Sequence, residues 1–447
     1  MSLPNRRRLS GSLSWAALAL PVALAACASP GLKQTSADID VLQQQIDSPP
    51  PTPATETPLG PVELVAFADE RGHDVLKARL KRAEAELTLD ETKSRRFPRI
   101  SVEARDFVTY DRRDGITDNA NVVLGVNWDI AYALLGLDSK NIAVAEKLIP
   151  VQYQLAYRNA LASLLSAYGA LSEMDFKRRR ALLEADALSC QASTMRVEQK
   201  LGTISEAELD AMTAKISAVR SEADAIAMAM VTEESKVLAL AGLAVGGAEV
   251  KASRPVLPAL SKLPEVSADD GEACFAQSGS QDLENLLVEA AGAQLELARK
   301  SRFTKLTAAL PTFMSQDGGL SLQFLVGYVL PLIDQGDSLR ITDRARLNLL
   351  LTILAARENH RAFLNRYSET LLNTAGARRA LASADGAIAT ARASLSSAPE
   401  ASRCAGEVAL AEARLQREEA MFKIQMAKAR QKLMCAPLPA TTPGEPS

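Results

Sequence analysis

Five cysteines and two histidines are the residues of this 447-residue chain best suited to covalent or metal chemistry. His73 and His360 stand alone and no pair of cysteines has ligand spacing, so no metal site is expected. Cys27 is set apart from the rest. It follows Leu24-Ala25-Ala26 at the end of an apolar run from Leu13, behind Arg6, Arg7 and Arg8. Basic residues, an apolar run too short to span a bilayer and small residues before a Cys resemble the bacterial lipobox. This pattern predicts cleavage in front of Cys27 and thioether lipidation of its sulfur. Losing those three arginines takes the net charge from −3 to −6. Cys190, Cys274, Cys404 and Cys435 then reside in an oxidising compartment. There is no Gly-x-x-x-x-Gly-Lys phosphate loop, His-Glu-x-x-His or Gly-x-Ser-x-Gly, so neither enzyme chemistry nor a cofactor is expected. The balance of Lys and Arg against Asp and Glu also argues against nucleic acid.

The elements that position these residues are long. Leu209, Met212, Ile216, Val219, Ala223, Ile226 and Met230 recur at alternating steps of three and four, which is a heptad seam over about four heptads. The partner is the segment before it, about Asp138 to Lys200. Gly202 ends that helix, and Ser205 with Glu208 three residues on forms a capping box for the next. An arm of this length measures on the order of 90 Å, far beyond a globular helix. Arg178-Arg179-Arg180 on this arm reads as a solvated face.

Ahead of the hairpin the period changes. After a helical stretch through Val75, Leu76, Leu80, Ala83 and Leu87, Ile100, Val102 and Ala104 alternate with Ser101, Glu103 and Arg105. Past a polar turn, Val122, Leu124, Val126 and Trp128 alternate with Asn121, Val123, Gly125 and Asn127. Two strands joined as a hairpin fit this pattern. A soluble, half-buried hairpin and a wall between lipid and water show the same alternation.

The chain then repeats the series. A helix through Leu283, Leu286, Leu287 and Leu297 leads to Pro311, to an alternating run from Leu320 to Leu330, and to a second long arm from about Ser338 to Ser394. The arm turns near Ser396-Ser397-Ala398-Pro399 and returns to Met434. Setting Arg220-Ser221-Glu222-Ala223 beside Arg417-Glu418-Glu419-Ala420 puts Gly202 opposite Pro399, so the sequence is duplicated. The boundaries read as follows: 1–26 signal peptide; 27–61 lipidated N-terminus and extended Pro-rich linker; 62–265 first repeat, with a β-hairpin at 99–130 and a helical hairpin at 138–241; 266–437 second repeat, with a β-hairpin at 308–331 and a helical hairpin at 338–434; and 438–447 flexible tail. Counted from Pro311, the third strand has about seven residues before Asp317-Gly318-Gly319. A membrane strand needs about 9 to 11, unless this one starts ahead of the Pro.

The element order, the strand ends Asn127-Trp128-Asp129-Ile130 and Pro331-Leu332-Ile333-Asp334, and the tip Lys200-Leu201-Gly202-Thr203-Ile204-Ser205-Glu206-Ala207-Glu208-Leu209-Asp210 resemble the TolC-type outer-membrane efflux factors, in particular the lipoprotein branch associated with RND-type pumps. The likeness runs from about Pro61 to Met434. It implies a mainly α protein with a small β part: long helical hairpins forming an α-barrel tunnel, and four strands per protomer given to a trimeric twelve-stranded outer-membrane β-barrel. The partners it implies are two sister chains, a periplasmic adaptor, an inner-membrane pump and outer-membrane lipid. Ala28 and Ser29 lack the aspartate tied to inner-membrane retention in similar lipoproteins, so the outer membrane is expected. The resemblance implies adaptor contact at Gly202, Thr203, Ile204, Ser205 and Leu209, and a periplasmic gate acid at Glu407 or Asp385. It also sets Cys274 and Cys435 both near mid-height of the tunnel, where a disulfide between them is expected. Cys190 and Cys404 lie about 12 and 5 residues from their tips, poorly level, and read as buried thiols. A non-conducting periplasmic coiled-coil scaffold and the outer-membrane component of type I secretion are the alternative functions.

Overall fold

The computed structural model describes residues 30–438, apart from 50–57, 98, 112–114, 130–135, 137, 246–248, 266–269, 302–304, 310–311, 315–319, 323–324, 330–336, 398 and 400–402. Side chains are described for the helices and their connections and not for the strands. Cys27 lies outside the described residues.

The chain opens with helix α1, Pro30–Asp47, where an extended linker was expected. Ile39, Leu42 and Gln45 turn inward at helical spacing, with Leu42 buried, and α1 lies along α3. The predicted first helix is two, α2 (Pro61–Arg71) and α3 (His73–Ser94), because the chain bends at Gly72. Then come β1 (Arg99–Asp111) and β2 (Gly115–Asp129). The first helical hairpin is α4 (Ser139–Lys200) and α5 (Glu206–Leu240). A 3₁₀ turn at Leu257–Leu260 and the short helix α6 (Gly271–Gln277) join the repeats. The second repeat holds α7 (Ser280–Ser301), β3 (Lys305–Ala309), β4 (Thr312–Met314), β5 (Leu320–Leu322), β6 (Leu325–Val329), α8 (Asp337–Ser397) and α9 (Arg403–Cys435).

The sheet corrects one boundary. The third strand begins at Lys305, six residues ahead of Pro311, and not at 308. β3 and β4 both pair with β2, and β6 and β5 pair with them in turn. The described strands therefore run in the order of an antiparallel meander: β1, β2, then β3 and β4, then β6 and β5. Lys305, the first residue of β3, and Met314, the last of β4, delimit ten positions of the sequence, the length a tilted membrane strand needs. Between β1 and β2 the register sets Ile100, Val102 and Ala104 opposite Val126, Leu124 and Val122, so the apolar positions align across the pair.

The helices form a single row that changes membership at mid-height. On the strand side the order is α3, α4, α7, α8; on the tip side it is α5, α4, α9, α8. α4 and α8 run the whole length, at 62 and 61 residues, or about 90 Å each. The row is thickened where α2 packs on α4, the 3₁₀ turn on α9, and α6 on α8 and α9. The main core sits there: Leu64 and Val65 of α2, Leu164, Tyr168, Leu171 and Phe176 of α4, Val237 and Leu238 of α5, and Phe422, Met426 and Leu433 of α9. Each such large side chain removed from water contributes about 1.5–3 kcal/mol. On α5 the heptad seam is as expected: Leu209, Met212, Ile216, Val219, Ile226 and Met230 are half-buried, Ala223 is fully buried, and most residues between them face solvent.

Candidate functional site

The two tips are built differently. At the first, Gly202 has φ 76°, a left-handed conformation that costs glycine little, and its missing Cβ would meet nothing within 4 Å. The Thr203 hydroxyl donates to the Glu198 carbonyl at 2.8 Å. The Ser205 N–H donates to Glu208 Oε2 at 2.8 Å, and the Glu208 N–H donates to the Ser205 hydroxyl at 3.3 Å, closing the capping box. The same Ser205 backbone and hydroxyl donors hold the exposed Glu208 carboxyl below its ordinary range. Ile204 is half-buried and Leu209 enters the α4–α5 seam, so these two serve packing. The freely exposed apolar side chains at this end are Val197 and Leu201, at 58% and 74% exposure. Neither is among the tip residues expected from the sequence. Leu201 stands directly before the turn glycine with no seam position to fill, which was the available signal.

The second tip turns between Ser397 and Arg403, and its level is set by α4. Cys190 of α4 is bonded to Cys404 of α9, with Cα atoms 5.9 Å apart, so these are not buried thiols. Arg179 pairs with Glu418 at 2.7 Å and Arg180 pairs with Glu419, so two arginines of this solvated face are also drawn into ion pairs between α4 and α9. With Cys404 level with Cys190, the second turn comes about seven residues sooner than the first. The first tip therefore projects about 10 Å beyond the second. Spacing counted from each turn does not reveal this offset, and so sets the two sulfurs apart.

The two gate candidates differ in surroundings. Asp385 of α8 accepts from Arg417 Nε of α9 at 2.8 Å, a pair within the second hairpin with both side chains about half exposed. Glu407 is exposed and lines a cleft between α4, α5 and α9, together with Asp186, Arg220 and the Cys190–Cys404 bond.

Mid-height is held by a second disulfide, Cys274 of α6 to Cys435 of α9, with Cα atoms 4.8 Å apart and both residues fully buried. Beside it, Arg158 of α4 donates to the carbonyls of Ser278 at 3.2 Å, of Ala436, and of Pro437 at 2.7 Å. Burial pulls the Arg158 pKa down from its ordinary value. The guanidinium fork satisfies the open C-terminal carbonyls of two helices at once, and cations suit that end of a helix. Tyr168 is wholly buried; its hydroxyl donates to the Lys251 carbonyl at 2.9 Å and accepts from the Arg254 N–H at 2.8 Å. Burial pushes its pKa up to about 12. Nearer the strands, Glu296 of α7 is held at about 2, well below the ordinary carboxylate, by Lys140 of α4 and Lys300.

Four strands in an open meander, continuous with a single row of long helices, define a class: this is the fold of outer-membrane channel proteins. Among solved structures the chain is similar to the outer membrane protein VceC from Vibrio cholerae, at 12% identity and a TM-score of 0.62, over 84% of this chain and 96% of that one. It is also similar to the MtrE outer membrane channel of Neisseria gonorrhoeae in its open state, at 16% identity and 0.61, over 86% and 96%. The Campylobacter jejuni CmeC outer membrane channel matches at 12% and 0.56, over 84% and 86%. No protein-family model and no curated protein matches the chain. Among the described residues no helix is long and apolar enough to cross a membrane.

Proposed function

We propose that this chain is the outer-membrane channel of a tripartite export system, a passive duct that joins sister chains around a hollow axis. The observation that carries the reading is the pair of open edges. The sheet ends at β1 on one side and at β5 and β6 on the other, and a bare sheet edge is not stable in lipid. The helix row has matching edges. On its outer side α8 exposes Leu347, Leu350, Leu351 and Leu354 at 50–64%, a compact apolar patch on two turns. Four strands do not enclose a pore, and three chains bring twelve, enough for a barrel. The fold's likeness to solved outer-membrane channels supports the same reading.

In this account Cys27 carries the lipid that holds the chain at the outer membrane, and the long hairpins reach into the periplasm toward an adaptor and an inner-membrane pump. Adaptor contact falls on the projecting first tip, with Leu201 and Val197 joining Gly202, Thr203, Ile204, Ser205 and Leu209. Glu407 is the stronger of the two gate candidates, because Asp385 is already paired with Arg417 of its own hairpin. The test is reconstitution of the purified, detergent-solubilised protein in planar bilayers, with its mass measured in parallel. A trimer that conducts ions is the expected result. A monomer soluble without detergent, or a trimer silent at every voltage, would return the chain to the scaffold reading.

A further inference from the structure

Helix α9 is bonded covalently at both ends. Its second residue, Cys404, is bonded to Cys190 of α4 near the tips, and its last, Cys435, to Cys274 of α6 at mid-height. Between these points further contacts cross the α4–α9 joint. Arg179 and Arg180 pair with Glu418 and Glu419; Phe176 packs its ring 5.7 Å from that of Phe422; and Arg158 grips the carbonyls that follow α9. The four cysteines that follow Cys27 are all used in these two bonds. The outer members of the tip-side row are different. α5 is anchored by its seam to α4, and α8 by its seam to α9, with no disulfide on either.

We infer that α9 is a covalently stapled strut that fixes the spacing of the two hairpins within one chain near their tips. A disulfide keeps its Cα atoms within roughly 4.4–6.8 Å, so this joint cannot open by the several ångströms that widening a helical aperture requires. Binding a partner releases on the order of 10 kcal/mol, enough to shift packed helices and not to break a covalent bond. Resting on the duct reading above, any widening of the tip end is therefore confined to the joints between chains, where α5 of one meets α8 of the next.

The test places two spin labels, by chemistry that spares cysteine, at Gln199 and Ser396 of one chain, and measures their distance distribution by pulsed electron resonance. The oxidised protein is compared with the C190S/C404S double variant. A narrow distribution in the oxidised protein, broadened about twofold or more in the variant, is expected; equal widths overturn the strut. Should the variant not assemble, mild thiol reduction of the finished protein gives the same comparison. Cys404 is exposed while Cys274 and Cys435 are fully buried, so the tip bond opens first. A single label at Gln199 reports distances between chains, which are expected to vary in the oxidised protein when partner or voltage is changed. Fixed distances there, with widening seen inside one chain, also overturn the proposal. Bilayer conductance is recorded on the same samples. Its absence in both proteins, with the within-chain distances behaving as expected, removes the duct reading and leaves the strut.

Discussion

Arg158→Met tests how mid-height is held together. The side chain is 4% exposed and its fork reaches three carbonyls, of which those of Ser278 and Ala436 belong to fully buried residues. A methionine fills much of the volume and donates nothing. Two buried carbonyls lose their donor, at about 1–3 kcal/mol each. Removing a buried cation recovers part of its desolvation cost, so the net expectation is about 2–4 kcal/mol. The loss should be local, at the C-terminal ends of α6 and α9, and legible as amide hydrogen exchange in 274–278 and 433–436. At 1.4 kcal/mol per decade, those amides should exchange roughly 30- to 700-fold faster, provided they open locally. Arg158→Lys keeps the charge and loses the fork, and should fall between. If Arg158→Met leaves exchange within about threefold of the parent protein, the carbonyls are satisfied by other groups and the clamp does not exist.

Three further outcomes follow from the same structure. Tyr168 has a folded pKa of about 12 against an unfolded 10.0, so its neutral form is favoured in the fold. That stability is fully present below pH 10 and is lost as pH rises toward 12, by up to about 2–3 kcal/mol. Tyr168→Phe loses two hydrogen bonds at neutral pH, and its deficit against the parent should shrink between pH 10 and 12; a deficit constant across that window in denaturant titrations would contradict the assignment. Gly202 and Gly242 have the same left-handed φ, 76° and 75°, yet a Cβ at Gly242 would lie 2.2 Å from the Arg71 carbonyl oxygen while one at Gly202 meets nothing. Gly202→Ala should cost about 1–2 kcal/mol from backbone conformation alone, and Gly242→Ala distinctly more, read as melting temperature in detergent. Leu350→Asp with Leu351→Asp places charges in the exposed α8 patch and should convert the assembled protein to monomer on size-exclusion with light scattering; an unchanged mass means that this patch is not where chains meet.

What the sequence made legible was what depends on near neighbours in the chain. The α5 seam, the Ser205–Glu208 box and the turn at Gly202 are set by residues within a few positions of one another, and all stand in the structure. The two strands of the first hairpin were equally readable, because alternation and a polar turn suffice. Errors collected where a second segment decides. Ser36 to Asp47 is polar enough to pass for linker, and it is helical because Leu42 has α3 to lie against. Arg179 and Arg180 are solvated as expected, but their partners Glu418 and Glu419 come from 239 residues away and could not be read locally.

The Cys190–Cys404 pairing shows the mechanism of such an error. The duplication places Gly202 opposite Pro399 and invites the assumption that equivalent residues stand at equal height, which separates the two sulfurs. Register between α4 and α9 is fixed instead by side chains: Arg158 at Ala436, Phe176 at Phe422, Arg179 at Glu418. Each of these pairs sums to nearly the same number, as antiparallel partners must, and Cys190 with Cys404 falls on the same series. Two copies of one ancestral unit thus pack off register with their own duplication. The first tip is left projecting alone because of that offset, and in the function proposed above it is the part of each chain that a partner would meet first.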